Sequence, residues 1–277
     1  MKPDSTTDVV MVTFNRPHYT ELSLRALFEH SDPATRIWLW HNGDDEATLE
    51  VVRRYRTDLH RCFHSRTNAG LVAPTNWLFA NATGQYLGKV DDDCIVPLDW
   101  TLKLRAAHEA EARLGVLGSW RFQHEDFMPE LAEKKIVSLS GGVQVLRNMW
   151  VEGSGYLMKR ACFDRLGPLP EHSSFTDYCI RLGRSGWING WLYPFIYQEH
   201  MDDPRSPRSA LHTDEDLLRH MPLSARRTGV TRLEDWVGQL QASAKLVQTA
   251  PVDPAYWSPL RRRMRGLYAR CRSLIGT

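Results

Sequence analysis

Residues 8–14 read Asp-Val-Val-Met-Val-Thr-Phe, an apolar run rich in β-branched side chains. The run has no alternation that would give it a wet face, so it predicts a strand covered on both sides. Asn15-Arg16-Pro17 interrupts it. Leu22, Leu24, Ala26, Leu27 and Phe28 then recur at helical spacing, behind a proline suited to a first helical turn. The alternation repeats: strands are expected at 36–41, 61–65 and 85–90, with helices at 45–55 and 72–82 between them. Strand and helix in turn, joined by short connections, imply a mostly parallel central sheet flanked by helices. In such an α/β fold ligands gather at the carboxyl ends of the strands.

Further along, a longer amphipathic helix is expected at 98–114 and a strand at 116–119. Residues 121–149 carry no clean period, although Ser140-Gly141-Gly142 marks a turn between strands. A strand is expected again at 192–196. Beyond His200 the composition shifts to Pro, Ser, Asp and Arg, with one helix at 231–249. This divides the chain into an α/β domain at 1–205 and a helical, basic extension at 206–277.

The bulk numbers narrow the function classes. Hydrophobic residues at 42% and charged residues at 25% are ordinary globular values and exclude a disordered chain. A net charge of +2 makes no case for a nucleic-acid partner. Positive charge is concentrated at the end, where Arg261, Arg262, Arg263, Arg265, Arg270 and Arg272 have no acid among them. Five scattered cysteines with no CxxC pair read as reduced thiols. The polar first residues and the lack of any long apolar run predict a cytoplasmic protein, soluble or peripheral to the membrane.

The chemistry is most legible after the strand at 85–90, which runs into Asp91, Asp92 and Asp93. Adjacent carboxylates repel one another, and a bound cation removes that penalty. Hard divalent ions such as Mn²⁺ and Mg²⁺ take carboxylate oxygen and keep places for substrate phosphates, so this cluster suits a nucleoside diphosphate. A solvated acidic loop is the plain alternative. The order Asn68-x-Gly70, Asn76, Ala82-Thr83-Gly84-Gln85-Tyr86, Val90-Asp91-Asp92-Asp93 resembles the signature of family 2 glycosyltransferases of the GT-A, Rossmann-like fold. The start Val12-Thr13-Phe14-Asn15-Arg16-Pro17 is similar to that family's TxNRP opening, and the likeness runs over roughly residues 8 to 200.

The resemblance implies a donor half at about 1–97 and an acceptor half at about 98–205. A nucleotide-sugar donor would meet Thr13, Asn15, Arg16, His41, Arg66, Asn68, Asp91 and Asp92, and Asp93 would hold Mn²⁺ or Mg²⁺ against the diphosphate. His41 stands where the family usually has an aspartate that accepts a hydrogen bond from uracil. Neutral imidazole also accepts, so UDP- or dTDP-sugars are preferred. His200, after the strand at 192–196, matches the histidine that completes the metal shell. Asp177, in a segment similar to the family's acidic motif before a helix, would be the base of an inverting transfer, or else a helix cap. Trp150, Glu152, Ser154 and Gly155 belong to a segment resembling the acceptor-side strand, where glycine would let a sugar approach the backbone.

The acceptor implied is a hydroxyl of a glycan, a lipid-linked molecule or a small molecule. His60-Arg-Cys62-Phe-His64, a rival metal motif, fits a short strand with no fourth ligand and reads as structural. A nucleotidyltransferase would want a Gly-rich basic loop where Thr13 to His18 stand. A non-catalytic nucleotide- or carbohydrate-binding module is the other alternative. Residues 259–275 mix arginine with apolar side chains, as a helix resting on the inner face of an anionic membrane would, and equally as a self-packed terminal helix.

Overall fold

The computed structural model describes residues 6–259 and Arg261. Strand and helix alternate from the start: β1 (Thr7–Phe14), α1 (Pro17–His30), β2 (Thr35–Asn42), α2 (Glu46–Arg54), β3 (Arg61–Ser65), α3 (Val72–Asn81) and β4 (Tyr86–Asp91). There follow β5 (Cys94–Ile95), α4 (Trp100–Ala110), β6 (Leu114–Gly118), α5 (Pro129–Ala132), β7 (Ile136–Ser138), β8 (Gln144–Asn148), β9 (Tyr156–Lys159) and α6 (Arg160–Leu166). The remainder is α7 (Phe175–Arg184), β10 (Ile188–Tyr193), β11 (Glu199–His200), α8 (Asp214–Arg219), α9 (Leu223–Thr228) and α10 (Leu233–Thr249).

Nine strands form one sheet in the order β3-β2-β1-β4-β9-β6-β10-β8-β7. β1 pairs in parallel with β2 and β4, β2 with β3, and β6 with β10, while β9 runs antiparallel between β4 and β6. This is the mostly parallel, helix-flanked sheet that the alternation predicts. Its period-2 geometry explains why β1 is apolar throughout. Val10 and Val12 join Trp38, Trp40, Leu78 and Phe79 on one side, and Val9 and Met11 join Leu24, Leu27, Ile37 and Leu39 on the other.

One carboxylate ties the opening strands together. Asp8, fully buried, accepts hydrogen bonds from Arg36 Nε and Nη2, Trp38 Nε1 and the Gly84 amide at 2.6–2.8 Å. It thereby fixes β1 against β2 and against the turn entering β4. Replacing it with alanine strands these donors, and breaking such a buried pair costs about 3 kcal/mol or more. Urea unfolding of Asp8→Ala should show that loss in its midpoint with little change in slope.

Some boundaries differ from the sequence reading. α4 stops at Ala110, and Leu114 opens β6, because Glu111 receives the Arg113 amide and the Ser140 hydroxyl and turns the chain. The strand expected at 192–196 lies at 188–193. Gly190 hides it, since a Cβ there would stand 2.3 Å from Leu146 O, and Pro194 ends it because proline cannot donate to a ladder. Gly141 and Gly142, at φ 71° and 76°, make the turn between β7 and β8.

The carboxyl-terminal part is helical from α8 to α10 over the described residues. Leu211, Leu217, Ala225, Trp236 and Leu240 form its own cluster, whereas Ala244 and Val247 of α10 enter the main core. Among the described residues no helix is long and apolar enough to cross a membrane. The basic segment expected at 259–275 lies outside them except for Pro259 and Arg261.

Candidate active site

The register of the parallel strands brings their carboxyl ends to one edge. Thr13 lies opposite His41, Phe14 opposite Asn42 and Val12 opposite Asp91. Thr13 Oγ1 and His41 Nδ1 share a hydrogen bond of 2.8 Å, both side chains buried, while His41 Nε2 is buried with no partner among the described residues. Burial, helped by His64, lowers the His41 pKa and keeps its imidazole neutral. Asn15 turns the chain out of β1 at φ 52°, a conformation asparagine tolerates, and leaves Phe14 and Asn15 exposed at the rim. Arg66 and Asn68 lie on the exposed loop after β3. Asn42 pins that loop, accepting from the Ala69 amide at 3.0 Å and donating to Gly70 O at 3.2 Å.

The three aspartates take three directions. Asp91 pairs with Lys89, two residues back on the same strand face, and its amide donates to Ser154 Oγ at 2.9 Å. Asp92 turns inward, where its Oδ2 accepts from the Phe14 amide at 2.9 Å and its carbonyl from Ser23 Oγ at 2.9 Å. Burial pushes the Asp92 carboxyl up to about 8. It therefore sits as a brace beneath the β1 loop, a direction the sequence pattern did not foresee for a donor contact.

The Asp93 side chain faces His200 of the second half of the chain, with Oδ2 3.8 Å from His200 Nε2. β5 pairs with β11 so that His200 stands opposite Cys94, and the Met201 amide donates to Asp93 O at 2.7 Å. Ligand atoms of Asp93, His200 and Asp202 all lie within 4.8 Å of one another. Asp202 was not anticipated, and the Asp202-Asp203 pair two residues beyond His200 was the available signal. Its backbone carbonyl accepts from Trp236 Nε1 of α10 at 2.7 Å, and its Oδ1 is buried without a hydrogen-bond partner among the described residues. Two carboxylates, an imidazole and an orphaned carboxylate oxygen fit a hard divalent ion.

Arg16 spans the same cluster, with Nη1 at 2.8 Å from Asp202 and 3.8 Å from Asp93, and Nη2 donating to His220 O at 3.1 Å. Burial would raise the Asp93 carboxyl, but His200 and then Arg16 outweigh it and hold it below the usual carboxylate range. Arg16 also ties the loop after β1 to the helical extension, so residues beyond 200 belong to the site's construction.

Ser154 and Gly155 are both joined to the strand that carries the aspartates, Ser154 Oγ accepting from the Asp91 amide at 2.9 Å and the Gly155 amide donating to Lys89 O at 2.8 Å. Gly155, at φ 67°, leaves room that Gln198 fills, since a Cβ would stand 1.6 Å from Gln198 Oε1. Its missing side chain thus serves protein packing, in place of the close approach of a sugar expected from the sequence. Trp150 is 7% exposed and packs edge-on against Trp257, so it is core more than platform. Glu152 is half-buried. Burial raises its carboxyl, Arg121 opposes that, and its Oε2 has no hydrogen-bond partner among the described residues.

Asp177 occupies the first turn of α7, whose cap is Ser174. Ser174 Oγ accepts from the Asp177 amide at 3.0 Å and lies 3.0 Å from Asp177 Oδ2. The carboxylate is therefore not the cap itself. The helix start is held toward the site by Phe175, stacked on Tyr156 with centroids 4.0 Å apart, and Tyr156 pairs in register with Lys89. His60, Cys62 and His64 lie at or along β3, and among the described residues no metal-type cluster forms there.

The family model for glycosyl transferase family 2 matches residues 8–162, more than half of the chain. Among solved structures, the mannosyltransferase PcManGT from Pyrobaculum calidifontis in complex with GDP-Man and Mn²⁺ superposes with a TM-score of 0.58 at 17% identity, covering 96% of this chain and 79% of that one. TarS 1–349 of S. aureus in complex with UDP gives 0.57 at 19% identity, covering 96% and 87%. In complex with UDP-GlcNAc it gives 0.55 at 20%, covering 87% and 72%. At such identities the likeness speaks for the fold. No curated protein sequence matches the chain.

Proposed function

We propose that this chain, which belongs to glycosyl transferase family 2, moves a sugar from a UDP- or dTDP-sugar to a hydroxyl of a glycan, lipid-linked or small-molecule acceptor, with inversion at the anomeric carbon. The fold is GT-A and the activity of the family is glycosyl transfer. The observation that carries the finer reading is the meeting of Asp93, His200 and Asp202 beside the strand edge that holds Thr13 and His41.

In this reading residues 1–97 form the donor half. The buried, neutral imidazole of His41, oriented by Thr13, meets the base, and its Nε2 supplies the hydrogen bond that uracil or thymine needs. Asn15, Arg66 and Asn68 border the phosphate and base, Asp91 faces the ribose, and Asp92 braces the loop that carries Asn15 and Arg16. Asp93, His200 and Asp202 hold Mn²⁺ or Mg²⁺. When bound, that ion supplies Lewis-acid stabilisation to the departing nucleoside diphosphate. Arg16 lies within reach of the same negative charge. Residues 98–205 form the acceptor half: Glu152 and Ser154 contact the incoming sugar, Trp150 and Gly155 shape the wall behind it, and Asp177 takes the proton of the attacking hydroxyl. The helices of 206–249 hold Asp202 and Arg16 in place.

A thermal-shift screen with UDP, dTDP, GDP and CMP, with and without Mn²⁺, tests the donor. A ligand at a hundred times its Kd stabilises by about 2.7 kcal/mol, which raises the midpoint by several degrees. UDP and dTDP with Mn²⁺ should give the largest shifts, and the shifts should fall when Mn²⁺ is withheld. A larger response to GDP would overturn the base assignment, and no response to any nucleotide would overturn the donor reading.

A further inference from the structure

α7 turns one face toward a cavity of about 510 Å³ that lies apart from the residues of the donor side. Asp177, Ile180, Arg181 and Arg184 line it at helical spacings of three and four, a single stripe along the helix. Trp257 and Pro259 line it from the other side. The Trp257 indole is held firmly: Nε1 donates to Pro251 O at 2.7 Å, and the ring meets both Tyr256 and buried Trp150, each with centroids 5.1 Å apart at 71°. Braced in this way and half-buried, the indole gives the cavity wall an apolar surface of the kind against which a sugar ring packs.

The other wall is cationic. Arg181 lies with Cζ 5.8 Å from the Tyr178 ring centroid, Arg184 is exposed, and neither is paired with a carboxylate among the described residues. Elsewhere in the molecule arginines near the site are committed: Arg16 to Asp202, Arg205 to Asp126 and Asp203. Two unpaired guanidinium groups on one stripe repel each other, and an oxyanion relieves that repulsion with charge-assisted, bidentate bonds. A rise of 1.5 Å per residue sets Arg181 about 6 Å and Arg184 about 10 Å along the helix from Asp177. The negative charge of Asp177 is at the far end of the stripe, turned to Ser174.

We infer that this cavity is an acceptor subsite for a saccharide carrying an anionic group, a phosphate or a carboxylate. Arg181 and Arg184 hold the anion, and Trp257 packs against the sugar ring. The inference rests on the reading in which Asp177 faces the acceptor, and it adds the charge of the substrate. The anion belongs to the acceptor itself, one helical turn or more beyond the hydroxyl that loses its proton.

The test is equilibrium binding of the full chain to glucose, glucose 6-phosphate and glucuronate, by calorimetry, with excess UDP and Mn²⁺ present to keep the charged sugars off the donor side. At least one charged sugar should bind about tenfold or more tightly than glucose. Which one does separates phosphate from carboxylate. R181Q/R184Q should lose the preference and R181K/R184K keep most of it, with circular dichroism verifying the fold of each. Equal binding of charged and neutral sugars, or a preference that survives in R181Q/R184Q, would overturn the inference. Binding of UDP with Mn²⁺ is read separately on the unmodified chain. Its absence would defeat the transferase reading, whereas the anion preference stands or falls on the sugars alone.

Discussion

Asp93→Ala should abolish Mn²⁺-dependent nucleotide binding and lower sugar transfer on the order of 10³-fold, the equivalent of several kcal/mol of charge stabilisation. The side chain is the one member of the acidic triplet that faces His200 and Asp202, and it stands there because β5 pairs with β11. Removing it leaves an imidazole and one carboxylate, with Arg16 still bound to that carboxylate at 2.8 Å. Two ligands and a competing guanidinium make a poor site for a hard ion. The backbone hydrogen bond from Met201 to Asp93 O does not depend on the side chain, so the fold should survive, which a thermal melt checks. Asp92→Asn is the matched control. Its oxygen serves the Phe14 amide, an asparagine oxygen can do the same, and Mn²⁺ affinity should change far less. Calorimetry with Mn²⁺ and UDP, with initial rates alongside, measures both. If Asp93→Ala keeps metal affinity and turnover near those of the parent, the metal assignment is wrong.

The first strands and helices of the fold were legible in the sequence because their signals are local. Apolar runs, helical periods and the acidic triplet each occupy a few consecutive residues, and the alternation of β1 to β4 with α1 to α3 follows from them. The same locality explains what was missed. Asp202 reaches the cluster only through the pairing of β5 with β11 across more than a hundred residues, and its backbone is held by Trp236 of α10. Nothing near Asp202 in the chain announces those partners. Asp92 and Gly155 show a second limit. A motif gives a residue's position, whereas its orientation comes from what it bonds to: Phe14 N–H in one case, the space taken by Gln198 in the other. β10 was misplaced because Gly190 reads as a turn by composition, yet is needed where Leu146 O comes close.

Asp177→Asn should leave nucleotide and Mn²⁺ binding intact while sugar transfer falls by roughly 10³-fold, within the range of 10²–10⁴ that a positioned base contributes. The substitution keeps the shape of the side chain. The Asp177 amide can still donate to Ser174 Oγ, and an amide oxygen can take the place of Oδ2 beside that hydroxyl, so the start of α7 should hold. Phe175 still stacks on Tyr156, which keeps the helix end against the strand next to Asp91. What is lost is the ability to take a proton. The loss should be in kcat with KM for the donor little changed, because the interaction is made as the hydroxyl attacks. Glu152→Gln is the informative companion. Glu152, whose carboxyl is raised by burial, is the other carboxylate proposed to meet the acceptor. Full activity in Asp177→Asn together with a dead Glu152→Gln would move the base to Glu152 and leave α7 with binding alone.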